Sequence, residues 1–230
     1  MRGFFVTGTG TEVGKTVVAA VLARSLVVEG TRVAVFKPAV TGLDDAGEPD
    51  HALLRRAAGS TQADEEIAPY RYGPPVSPHL GAELAGDQVD PARLRAAARD
   101  ASGRADALVV EGVGGLLVPL TLGYLVRDFA RDLGLPIVIA SKPGLGTINH
   151  TLLTIEAVRA VGLEVALVVL TPWPGDPSVV QRSNRAAIER LGAVRVEPLP
   201  ELDLDAPESW PPLRPDDPAR PSGSWRGLRS

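Results

Sequence analysis

Short runs built almost wholly of apolar residues alternate along this chain with longer stretches whose apolar positions recur at helical spacing. Residues 3–7, 32–36, 107–110, 136–140, 163–170 and 193–196 have the length and the Val/Ile/Leu character of strands. They do not alternate apolar with polar, so both faces of each should be covered, as in a parallel sheet. Residues 15–28, 51–58, 91–101, 126–133, 147–161 and 177–191 read as helices. In the first of them Val17, Val18, Val21, Leu22 and Leu26 mark one face. Strand and helix taking turns predicts an α/β fold: a doubly wound, mostly parallel sheet with right-handed crossovers and helices on both faces. Ligands of such sheets sit at the carboxyl ends of the strands. Candidate chemistry should therefore follow Thr7, Phe36, Val110 and Leu170. From Asp203 onward Pro, Arg, Gly and Ser dominate, so the pattern predicts one domain over 1–202 and a poorly ordered tail over 203–230. Trp210 and Trp225 are the exceptions, two aromatic residues able to dock locally.

Composition narrows the classes. The 230 residues are 44% apolar, enough for a core, and the formal charge is −4. An acidic chain is a poor candidate for phosphate-driven nucleic-acid binding. With no cysteine, disulfide scaffolds, thiolate metal sites and cysteine nucleophiles are excluded. No stretch approaches the roughly 18 apolar residues of a membrane span. The first residues carry glycine and charge where a signal peptide needs an apolar core, so a cytoplasmic, membrane-free protein is expected. Only three of the 24 basic residues are lysine: Lys15, Lys37 and Lys142. A compact ammonium kept against an arginine bias, in glycine-rich company, points to a point-charge role for the first two. Lys142, after the fourth strand, has no firm role: it could help bind anions at an interface or be merely solvated.

The first strand runs into Gly8-Thr9-Gly10-Thr11-Glu12-Val13-Gly14-Lys15-Thr16 and then a helix. Strand, glycine-rich turn ending in Gly-Lys-Thr, and helix together form the context of a phosphate-binding loop. Backbone N–H groups can curl around phosphate oxygens, and the helix N-terminus adds partial positive charge. Lys15 can reach terminal phosphates, a contact worth roughly 4 kcal/mol at about 4 Å and an effective dielectric near 20. The Thr16 hydroxyl is placed for Mg²⁺. The loop carries one residue more between Gly8 and Gly14 than the general pattern, and has no second lysine near its start. Glu111 closes the apolar run 107–110 and precedes Gly112, Val113, Gly114 and Gly115, where a second Mg²⁺ ligand belongs. Lys37 ends the second strand beside these groups. Asp44, Asp45, Glu48 and Asp50 follow it, and any of them could complete a metal shell.

Taken together, the phosphate loop, Lys37-Pro38 with Thr41-Gly42, Pro75 with Ser77-Pro78-His79, Glu111 to Gly115, and Gly146-Thr147-Ile148-Asn149-His150 resemble the dethiobiotin synthetases, a family of the P-loop NTPase type. The resemblance spans residues 3 to about 200. It implies closure of a cyclic urea from 7,8-diaminononanoate, CO₂ and ATP, with Mg²⁺. A carbamate attacks the γ-phosphate, and the second amine then displaces phosphate from the mixed anhydride. Lys15, Lys37 and Thr11 take the catalytic roles. Thr16, Asp50 and Glu111 take the Mg²⁺ roles. The nucleotide would lie along Gly10 to Val17, Asp50 and Glu111 to Gly114. Thr41 and Gly146 to Asn149 would hold the diamine, the latter across a homodimer interface. The family's base-reading Asn is replaced by Thr171-Pro172. The second base contact falls near Pro200, Glu201 and Leu202, so another nucleoside triphosphate is an open expectation. Two competitors are a cobyrinate-type amide ligase, which needs a further domain with a cysteine, and a partition-type ATPase switch, which needs the loop's extra lysine.

Overall fold

The computed structural model describes residues 2–45 and 47–216. Its main sheet has six parallel strands, in the order Val33–Phe36, Ala107–Gly115, Gly3–Gly8, Ile137–Ser141, Val165–Trp173 and Val196–Pro200. In chain order the elements are β1 (Gly3–Gly8), α1 (Lys15–Val28), β2 (Val33–Phe36), α2 (Asp50–Ala58), α3 (Asp64–Ile67), α4 (Pro78–Leu84), α5 (Pro91–Gly103) and β3 (Ala107–Gly115). Then come β4 (Pro119–Thr121), β5 (Tyr124–Leu125), α6 (Val126–Leu133), β6 (Ile137–Ser141), α7 (Thr147–Arg159), β7 (Val165–Trp173), α8 (Val179–Gly192) and β8 (Val196–Pro200).

Both faces of the sheet are buried, which is why its strands read as unbroken apolar runs. Phe4, Val6, Val33, Val35, Ala107 and Val109 pack with α1 and α2, while Phe5, Phe36, Leu108, Val110, Ile137 and Ile139 pack with α5 to α8. Phe129 anchors the second layer, its ring 6.1 Å from Phe5 and 5.9 Å from Phe36.

Several expectations need correction. The run 203–216 is not loose. Trp210 and Leu213 are buried with the α1 layer, Trp210 Nε1 donates to Asp203 O, and Leu213 N donates to Ser25 Oγ on α1. Arg214 reaches Glu29, and Arg56 donates to Leu204 O. The cause lies in α1, which is apolar nearly all round. Its outer side needs a cover, and this segment supplies part of it. Trp225 and the rest of the expected tail fall outside the described residues. β8 lies at 196–200 rather than 193–196, because Ala193 ends α8 in the left-handed region. As an edge strand β8 tolerates Pro198 and Pro200. α3, α4 and the β4–β5 hairpin were not read from the sequence.

Candidate active site

The carboxyl ends of the parallel strands bring the predicted groups to one edge of the sheet. The phosphate loop leaves β1 with Glu12 at φ 55° and Gly14 at φ 86°, both left-handed. For Glu12 that conformation costs energy, and such strain collects where successive N–H groups must turn inward around an anion. Gly14 is obligatory for a second reason: a Cβ there would come within 2.6 Å of Thr171 Cγ2. Thr171 at the end of β7 thus packs against the loop. Lys15 is buried, and its Nζ folds back to donate to Gly10 O at 2.8 Å. Burial lowers its pKa, ahead of the opposing pull of Glu111. Thr11 and Glu12 are exposed on the lip, Val13 is buried, and Val17 turns partly outward.

Beside the loop three oxygen donors and one ammonium converge. Thr16 Oγ1 lies 3.0 Å from Asp50 Oδ1 and 2.9 Å from Glu111 Oε1. Lys37 Nζ lies 2.6 Å from Glu111 Oε1 and 2.8 Å from Asp50 Oδ2. Strand order explains the meeting: β2 and β1 flank β3, so Lys37 after β2 and Thr16 after β1 both face Glu111 on β3. Glu111 was expected at a strand tip. β3 instead continues through Gly115, and Glu111 sits within it, fully buried opposite Val6. Burial works to strip Lys37 of its proton, but the charges and hydrogen bonds of Glu111 and Asp50 overcome this and hold its pKa above the ordinary value. Burial likewise opposes the charge of Asp50, and Lys37, Thr16 and Lys15 outweigh it, so its pKa falls below the usual carboxylate range. Burial pushes Glu111 upward.

The donor count fits a divalent cation. Thr16 has one proton for two carboxylates, and Glu111 Oε2 is buried with no hydrogen-bond partner among the described residues. Among those residues no three His, Cys, Asp or Glu side chains gather into a metal cluster. A cation held by Thr16, Asp50 and Glu111 would complete its shell with phosphate and water, which is the habit of Mg²⁺. Of the four carboxylates left open after Lys37, only Asp50 reaches this point. Glu48 pairs with Arg56, and the Asp44 backbone is tied to Gly73 O.

The remaining predicted residues border the same edge. Thr41 lies on a strap held by the Val40–Arg71 bridge and by Gly42 N donating to Pro74 O. Gly112 to Gly114 line the run after Glu111, Gly114 at φ 59°. Gly146, at φ 90°, caps α7 with no side-chain cap, and Thr147 N donates to Gly144 O at 3.3 Å, which leaves the first-turn N–H groups of Ile148 and Asn149 outside the helix's own bonding. At the far side Trp173 pairs with Pro200, which brings Thr171-Pro172 beside the loop of Glu201 and Leu202. Lys142 is exposed. Sequence reading missed one wall. A cavity of about 500 Å³ opens between the phosphate loop, Leu116 to Pro119, and His150, Leu153 and Ala157 of α7. Leu117 and Leu153, large apolar residues, are left half exposed on it.

The parallel sheet, the phosphate loop and the carboxylate–lysine cluster define a P-loop nucleotide-binding protein. A family model described as an AAA domain matches residues 2–203. The fold resembles the Pyrococcus furiosus cell division ATPase MinD (17% identity, TM-score 0.54, 88% of this chain and 84% of that one). It also resembles a Cyanothece McdA (13% identity, TM-score 0.53, 90% and 89%). Sequence kinship is much nearer to proteins named ATP-dependent dethiobiotin synthetase. That of Anaeromyxobacter dehalogenans (strain 2CP-C) is 47% identical over 194 residues, 83% of this chain and 86% of its own length. Those of Rhodococcus erythropolis and Bacillus velezensis are 42% and 38% identical, covering 84% and 88% of this chain and 86% and 88% of their own. The chain belongs to the dethiobiotin synthetase family and is an enzyme.

Proposed function

We propose that the enzyme converts 7,8-diaminononanoate, CO₂ and ATP to dethiobiotin, ADP and phosphate, with Mg²⁺. The observation that carries this reading is the meeting of Lys37, Thr16, Asp50 and Glu111 beside the phosphate loop. Every species on the path is anionic: carbamate, triphosphate, mixed anhydride. Catalysis is therefore mainly positioning and charge stabilisation. The loop N–H groups and Lys15 hold the phosphates. Lys37 and Thr11 face the carbamate oxygen that attacks the γ-phosphate, and Thr41 holds the amine end. Mg²⁺ on Thr16, Asp50 and Glu111 would neutralise phosphate charge. The open N-terminus of α7, from Gly146 to Asn149, suits the substrate's carboxylate. In this reading the protein is a cytoplasmic homodimer, and that contact crosses to the second subunit. Among the described residues no helix is long and apolar enough to cross a membrane. Base selection falls to Thr171-Pro172 and to the loop of Pro200, Glu201 and Leu202. Pro172 has no N–H to offer a base.

The test is product formation followed by mass spectrometry, with diaminononanoate, bicarbonate, Mg²⁺ and each of ATP, CTP and GTP. Dethiobiotin with one or more of them supports the reading. ADP release independent of the diamine would favour the partition-type ATPase switch instead.

A further inference from the structure

Four hydroxyls not needed by the chemistry above are joined at the seam between the phosphate loop and α7. Ser141, at the end of β6, is buried, as are Thr147 and Thr151 on the first two turns of α7. Thr9 Oγ1 of the phosphate loop donates to Ser141 Oγ at 3.2 Å, and Thr151 Oγ1 donates to it at 3.1 Å. Ser141 Oγ, having accepted twice, has one proton left, and Thr147 Oγ1 lies 2.8 Å away to take it. Thr147 Oγ1 in turn lies 3.4 Å from Thr151 Oγ1. Proton counting therefore fixes the directions: Ser141 to Thr147, Thr147 to Thr151, Thr151 back to Ser141. This is a closed three-membered ring, with Thr9 feeding in from the phosphate loop. Hydroxyls donating in one rotational sense polarise one another, and breaking one strands a buried donor or acceptor. The loop between is pinned from the other side as well. Asn184 Nδ2 of α8 is buried and donates to Pro143 O at 3.1 Å and Gly144 O at 3.0 Å. Asn149 and His150, on the opposite side of the same turns, are exposed.

We infer that Ser141, Thr147 and Thr151 form a positioning ring that sets the N-terminal turn of α7 against the phosphate loop of the same subunit, so that the loop geometry of one subunit is coupled to the carboxylate its α7 holds for the other. The inference rests on the functional reading above, in which α7's N-terminus takes the substrate carboxylate. Thr151 is the cleanest probe, being fully buried and one turn inside the helix.

The experiment is steady-state kinetics of Thr151→Val, which keeps the shape and removes the hydroxyl, beside Thr151→Ser, which keeps the hydroxyl. Loss of one buried hydrogen bond at the seam should raise the KM for diaminononanoate about tenfold. The KM for ATP should stay within about twofold, and Thr151→Ser should restore the diamine KM. A wild-type KM in Thr151→Val, or equal damage from Thr151→Ser, overturns the ring. A double-mutant cycle on diamine KM, pairing Thr9→Val with Ser141→Ala, keeps the question decidable if Thr151→Val folds poorly. Non-additive effects support the coupling, and additive ones overturn it. If the wild-type protein forms no dethiobiotin at all, it is the functional reading that fails.

Discussion

Lys37→Met removes the ammonium and keeps an unbranched side chain in its place. In the wild type that ammonium lies 2.6 Å from Glu111 and 2.8 Å from Asp50, and it is buried. At such separations each charge pair is worth roughly 6 kcal/mol at an effective dielectric near 20. Desolvation of all three groups offsets much of that. Breaking a buried pair from one side costs about 3–5 kcal/mol, because the remaining charge is stranded. Among the described residues Glu111 Oε2 already lacks a hydrogen-bond partner, so of its hydrogen bonds there Glu111 would keep that from Thr16. The stability loss should shrink when Mg²⁺ is added, since a cation on the carboxylates replaces the lost charge. The kinetic cost is separate. An ammonium acting where anionic charge gathers in the transition state contributes about 10²–10³ in kcat. Binding of a non-hydrolysable ATP analogue should change little, because Lys15 and the loop backbone are untouched. The assays are calorimetric titration of the analogue, stopped-time ADP release with diamine present, and thermal melts with and without Mg²⁺. A kcat within tenfold of wild type, or a loss of nucleotide affinity as large as the loss of kcat, would refute the role.

Glu111→Gln should bring the melts with and without Mg²⁺ together, and an undiminished Mg²⁺ shift would remove Glu111 from the metal shell. Gly14→Ala should abolish nucleotide binding or folding, since its Cβ meets Thr171 Cγ2 at 2.6 Å and φ is 86°; a soluble variant with normal affinity would show that the loop yields there. Trp210→Ala should cost about 3–5 kcal/mol in urea unfolding, the usual loss for a buried Trp, and an unchanged midpoint would mean residues 203–216 do not hold α1. His51 is buried on α2, and desolvation holds its pKa below the ordinary 6.5. The unfolded chain therefore binds the proton first. Stability should be full above pH 6.5 and decline as pH falls toward the folded-state pKa. His51→Gln should flatten that decline, and identical pH profiles would refute it.

The strands were legible because a parallel sheet covered on both faces leaves apolar runs that little else explains. The phosphate loop was legible because its glycines and lysine are contiguous. The carboxylate cluster was half legible: Glu111 and Lys37 stand 74 residues apart, and only the strand order β2-β3-β1 brings them together. From the residues alone Asp44, Asp45, Glu48 and Asp50 were equivalent, and it is the start of α2 that turns Asp50 inward. Composition misled at 203–216, where prolines and charges conceal two anchors, Trp210 and Leu213. Those anchors gain order only because the outer side of α1 is apolar. The hydroxyl ring was invisible for a similar reason. Thr9 and Ser141 are 132 residues apart, and isolated Ser and Thr carry no periodic signal.

One measurement reaches the central claim most directly: product analysis after a short incubation with ¹⁸O-labelled CO₂, diaminononanoate, ATP and Mg²⁺. Carbamate attack on the γ-phosphate, followed by ring closure, sends one CO₂ oxygen into phosphate and leaves the other as the urea carbonyl of dethiobiotin. The account predicts dethiobiotin with a labelled carbonyl and inorganic phosphate carrying one ¹⁸O. Unlabelled phosphate, or ADP release without dethiobiotin from folded protein, would contradict it.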